Sequence, residues 1–179
     1  MKEILLLEYE KVKDEQRERI SIRERLFYTA LLVVGAIFSA LLTMSGIDVG
    51  YLALTPVLFI ISNSYYYNDE IVTQMNNYVQ ESLRPRLAAA TGLKPDDLFQ
   101  WENYTRGSKR VRRRLYQFVA NLALYPGASA ASLMFFVSRR AELSEAERLG
   151  VLICSLITAL MLVQVLYYAD LFSRRSRSS

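Results

Sequence analysis

Apolar and polar residues in this chain are sorted into long blocks rather than alternating. LFYTALLVVGAIFSALLTM at 26–44 and LYQFVANLALYPGASAASLMFFV at 115–137 are nearly free of charge, and the block at 149–171 carries only Asp170, in its last turn. A fourth block, GYLALTPVLFIISNSYYY at 50–67, is the shortest and ends in three tyrosines. A helix needs roughly 20 apolar residues to cross about 30 Å of hydrocarbon, and the four blocks fall within that range. Amphipathic helices of soluble proteins keep a polar face, which these blocks lack. The pattern predicts an all-α protein: a four-span transmembrane helical bundle with cytoplasmic helical extensions of spans 1 and 2.

The extensions come from the segments flanking the first two blocks. Residues 2–25 hold neither glycine nor proline, and charges such as Glu15 and Arg19 at i,i+4 favour a helix running without a break into the first span. At 1.5 Å per residue it makes a stalk on the order of 35 Å long. Leu5, Tyr9, Val12, Gln16 and Arg19 or Ile20 follow a heptad-like spacing that becomes polar after two turns. Beyond the tyrosines, Ile71, Met75, Tyr78, Val79 and Leu83 recur at helical spacing. The second span is therefore expected to continue as a helix to about Arg84, to end at Pro85, and to pack against the N-terminal stalk. LAAATGLKP, at 87–95, is expected to be a connection, and DDLFQWENY a short helix with Pro95 near its first turn. The divisions are 1–25, an N-terminal helix; 26–67, a first transmembrane hairpin; 68–114, a cytoplasmic helical region; 115–172, a second hairpin; and 173–179, a basic tail.

Charge sets the orientation. Of 22 lysines and arginines, only Arg139, Arg140 and Arg148 fall on one side of the four-span arrangement. The rest fall on the other, which the positive-inside rule makes the cytoplasm. The expected location is the inner (plasma) membrane of the cell, multi-pass, with both termini cytoplasmic and short outer loops. The first 25 residues hold seven acids and seven basic residues, unlike a cleavable signal peptide.

The residue types narrow the chemistry. There is no histidine and one cysteine, Cys154, inside the last block. Histidine triads, the usual zinc sites and disulfide frameworks are excluded, so no catalytic residue, cofactor or metal is expected and the protein is not expected to be an enzyme. The basic run Arg106, Lys109, Arg110, Arg112, Arg113 and Arg114 is the sharpest local feature. It reads as a topology anchor at the start of the third span, or as a site for anionic lipid headgroups or another anionic ligand. With a net charge of only +4, nucleic acid is not an expected partner. Asn68, Asp69 and Glu70 either wet a helix leaving the bilayer or line a vestibule, with Arg23, Arg25 and the 106–114 cluster at the same depth. Asn63, Asn121 and Gln164 lie within the spans, where interhelical hydrogen bonding and pore lining are the alternatives. GASAAS at 127–132 allows close helix contact after a kink expected at Pro126.

EYEKVKDEQRERISIRERLFY, before the first span, and YYYNDEIVTQMNNYV, after the second, resemble small bacterial multi-spanning membrane proteins associated with anti-phage defence loci. The resemblance implies membrane perturbation or sensing with a partner. The expected function is a non-enzymatic homo-oligomer that forms or gates a membrane pathway as a sensor or effector in such defence. The alternative is a membrane scaffold or regulatory subunit recruiting a soluble cytoplasmic effector, with Phe99 and Trp101 on the partner surface.

Overall fold

The computed structural model describes residues 2–43, 50–99, 110–140 and 142–168, and every regular element among them is helical. In chain order these are α1 (Lys2–Thr43), α2 (Gly50–Tyr78), a π-helical turn (Val79–Leu83), α3 (Arg84–Thr91), a 3-10 turn (Pro95–Asp97), α4 (Arg110–Leu122), a second π-helical turn (Ala123–Gly127), α5 (Ala128–Ser138) and α6 (Glu145–Tyr168). They divide into two compact units. The first comprises Met1–Arg25 and Ser64–Arg112, the second Leu26–Asn63 and Arg113–Ser179.

In the first unit Leu5 of α1 is buried with Val79, Leu83 and Leu87, and Tyr9, Val12, Leu98 and Phe99 pack against them. The heptad-like stripe of the N-terminal helix therefore meets the stripe that continues α2. Pro85 does not end the helix as the sequence led us to expect. A proline offers no N–H to the carbonyl four residues back and its ring crowds that carbonyl. The widened turn at Val79–Leu83 avoids both problems: the Arg84 N–H reaches the Val79 carbonyl, and Pro85 enters the first turn of α3, where a missing N–H costs nothing. LAAAT is thus helical rather than a connection, and the helix ends at Gly92, which takes φ 71° and donates to the Ala88 carbonyl at 2.9 Å. After the 3-10 turn, Phe99 adopts φ 57°, rare for a residue with a side chain, and its ring stacks on Tyr9 with centroids 4.3 Å apart.

In the second unit Leu41, Tyr51 and Phe136 form an apolar centre with Ile37, Phe38, Leu52, Leu143 and Val151 around it. The buried positions of α2 here, Tyr51, Leu54, Thr55, Leu58 and Ser62, recur every three or four residues. Pro126, where a kink was expected, sits in the second widened turn, and the Ala128 N–H reaches the Ala123 and Tyr125 carbonyls. A Cβ on Gly127 would stand 2.9 Å from the backbone oxygen of Leu122, so this turn closes only around glycine. α6 opens on a capping box: the Ser144 backbone N–H donates to Glu147 Oε2 at 2.9 Å and the Glu147 N–H donates to Ser144 Oγ at 3.3 Å.

Three helical stretches, within Lys2–Leu41, Leu115–Ser138 and Glu145–Tyr168, are long and apolar enough to cross a membrane, which supports a membrane protein. Only 17% of the most apolar stretch of α6 is buried, which leaves most of it open to a hydrocarbon solvent. α2 is not among the three. Its Thr55, Pro56, Ser62 and Asn63 dilute the apolar run, and their placement decides how that helix is read.

Candidate functional site

A seam of polar side chains joins α2, α5 and α6 in the second unit. Thr55 Oγ1 lies 2.7 Å from Ser129 Oγ, which lies 2.6 Å from Thr158 Oγ1. Thr158 in turn donates to the Cys154 carbonyl at 2.8 Å, and Ser132 donates to the Tyr51 carbonyl at 2.6 Å. Thr55, Ser129 and Ser132 are fully buried, so the close approach of α5 depends on the small residues of GASAAS. Pro56 has no N–H for the Leu52 carbonyl, and Cys154 Sγ lies 3.5 Å from that oxygen and donates to it.

Two turns farther along α2 a second polar group holds the amides expected within the spans. Ser62 Oγ donates to the Phe59 carbonyl at 3.0 Å and shares that hydrogen with Gln164 Oε1 at 3.4 Å, Gln164 Nε2 donates to Asn63 Oδ1 at 2.9 Å, and Asn63 Nδ2 donates to the Phe59 carbonyl at 3.0 Å. Asn63 and Gln164 are therefore brought together. Asn121 is buried on α4. The contacts keep one register: Leu52 pairs with Cys154 and Ser62 with Gln164 at a sequence separation of 102, and Asn63 with Gln164 at 101. A constant separation along two helices means that α2 and α6 run parallel. Ser129 lies in the GASAAS stretch already marked for close helix contact, whereas Thr55, Ser62 and Thr158 escaped the sequence reading because hydroxyls in an apolar run have no spacing rule of their own.

In the first unit Asn68 and Asp69 face α1. Asn68 is buried, accepts from Arg19 Nη1 at 3.4 Å, and donates to the Ser64 carbonyl at 2.8 Å. Asp69 pairs with Arg23, whose guanidinium also lies over the Tyr65 ring at 5.9 Å. Glu70 is exposed and accepts from Gln74 Nε2 at 3.3 Å. Of the basic cluster, Arg110, Arg112, Arg113 and Arg114 belong by backbone to the first turns of α4. Arg106, Lys109 and Trp101 lie outside the described residues. Phe99 packs on Tyr9 of its own chain. Groups of three or more histidine, cysteine or acidic residues able to hold a metal are absent among the described residues.

Farther along the same helix pair, the Tyr78 hydroxyl donates to Glu8, and Arg86 lies 4.0 Å from that carboxylate. The hydrogen bond to Glu8, then desolvation and the carboxylate's charge, raise the Tyr78 pKa above the ordinary tyrosine value, with Arg86 opposing. The folded chain holds this proton more tightly than the unfolded one. The contribution is complete below the ordinary tyrosine value and is lost as pH climbs through the raised one. The difference in ultraviolet absorbance titration between the wild type and Tyr78→Phe should place this phenol above a free tyrosine, and Glu8→Gln should bring it down. An unshifted phenol in the wild type would remove the Glu8 bond from the account.

No family model, curated protein or solved structure matches this chain.

Proposed function

We propose that the chain is a non-enzymatic integral membrane protein of four spans, with residues 1–25 and 68–114 on the cytoplasmic side, that assembles with copies of itself to form or gate a membrane pathway. The observation that carries this reading is the pair of polar groups along α2, because only the first closes inside the bundle. Thr55 and Ser129 are fully buried, whereas two turns farther along α2 the second group ends in an amide pair whose Asn63 is exposed. Interhelical hydrogen bonds in a bilayer contribute on the order of 1 kcal/mol each, and an amide facing hydrocarbon forfeits that gain. A polar group that ends at the surface needs water or protein there.

The same groups support α2 as the fourth span. A helix lying parallel to α6 in constant register shares its depth, and of the polar residues that lower its hydropathy Thr55 and Ser62 are fully buried against its neighbours. The exposed Glu70 supports a vestibule. The defence setting rests on the resemblance of 8–28 and 65–79 alone.

Light scattering of the detergent-purified protein, with the detergent mass subtracted, should give a discrete multimer, and vesicles holding it should leak cations. Glu70→Lys should lower the cation leak without dissociating the multimer. A monomer that leaves vesicles tight would sink the proposal, and an unchanged leak in Glu70→Lys would remove the vestibule from it.

A further inference from the structure

We propose that the outward flank between α2 and α6, centred on Asn63 and Gln164, is the face on which a second copy of this chain docks. The inference rests on the reading that these helices cross the membrane and self-assemble, and it adds where they meet. The first argument is a count of hydrogen-bonding capacity. Asn63 uses one amide hydrogen on the Phe59 carbonyl and its oxygen on Gln164; Gln164 uses one hydrogen on Asn63 and its oxygen on Ser62. Each side-chain amide has two hydrogens and two lone pairs, so each keeps a donor and part of an acceptor in reserve. Acyl chains cannot satisfy them. An amide is both donor and acceptor, so the pair is complementary to itself, and a second copy supplies what hydrocarbon cannot.

The second argument is the shape of the face. Ile153, Leu160 and Tyr167 recur at seven-residue intervals on α6 along the flank that carries Gln164, and all three are exposed. Ile60, one turn before Asn63 on α2, is exposed as well. A heptad row of apolar residues with one polar position is the pattern by which helices pack side by side with a fixed register and number of partners. Lipid would cover the apolar row equally well but would leave the amides in need.

The test is site-directed cross-linking in membranes of cells expressing the full chain. In a Cys154→Ser background, which keeps a donor for the Leu52 carbonyl, a single cysteine is placed by Leu160→Cys on the proposed face or by Leu162→Cys, about 200° around the helix, on the opposite and also exposed side of α6. A short bifunctional maleimide should link two chains through Leu160→Cys and not through Leu162→Cys. Adding Asn63→Leu should reduce the linked fraction about five- to thirtyfold, the ratio corresponding to about 1–2 kcal/mol of interhelical hydrogen bonding. Asn63→Gln, which keeps the amide, should restore most of it and shows that the change is not misfolding.

Equal linking at both positions, or none at Leu160→Cys, overturns the face. Linking that is indifferent to Asn63→Leu overturns the amide pairing. A protein that is multimeric by light scattering but does not link through Leu160→Cys loses this face and keeps the self-assembling reading. One that links there yet leaves vesicles tight loses the pathway and keeps the face.

Discussion

Gly127→Ala is expected to destabilise the second unit by about 2–3 kcal/mol, the upper range for an atom forced into a packed site that backbone must vacate. In an ordinary helix the same exchange stabilises by up to about 1 kcal/mol, so the sign alone tests the argument. The added carbon would stand 2.9 Å from the Leu122 oxygen, and that oxygen belongs to the backbone of the turn that accommodates Pro126. Relief requires opening the turn, which would shift Ser129 and Ser132 away from Thr55 and the Tyr51 carbonyl. Unfolding in mixed micelles, followed by circular dichroism, measures the change. A neutral or stabilising Gly127→Ala would mean that this turn is an ordinary helix.

Leu83→Ala should cost the first unit about 2–5 kcal/mol, the usual range for emptying a fully buried leucine site. Leu83 has no exposed surface and shares its core with Leu5, Val79 and Leu87. That core is small, so few neighbours can move in to fill the space. Amide hydrogen exchange should accelerate around Leu5 and around Val79 and Leu87, while the amides of α6 keep their rates. Unchanged exchange at Leu5 would mean that the N-terminal helix is not held by this contact.

The stripes that built the first unit were legible because both are long and regular: Leu5, Tyr9 and Val12 on one helix, Val79 and Leu83 on the other. Arg23 as a partner for Asp69 was legible too, from depth and charge. Pro85 misled because its effect depends on whether the preceding turn widens, and that is settled by packing around Val79 and Leu83 rather than by the proline. α2 shows a different limit. Composition makes it the weakest of the four apolar blocks, while its hydroxyls and amides are matched residue by residue to α5 and α6, and such pairing is invisible in a one-dimensional pattern. The second polar group, at Asn63 and Gln164, was partly visible, since both amides stood out among apolar neighbours, but their meeting depended on the parallel course of two distant segments.

The widened turn at Val79–Leu83 also bears on how this chain tolerates changes in length. Val79, Leu83 and Leu87 follow one another at intervals of four. At about 100° per residue, that interval drifts by about 40° each time around an ordinary α-helix. A π-helical turn takes up roughly one additional residue, cancels much of the drift, and keeps all three leucine and valine side chains aimed at Leu5. The stretch thus acts as a phase corrector between the end of α2 and α3. A one-codon deletion within 79–83 would rotate everything downstream, including Leu87, away from its partner, whereas a change of length at the Gly92 turn would leave that phase intact.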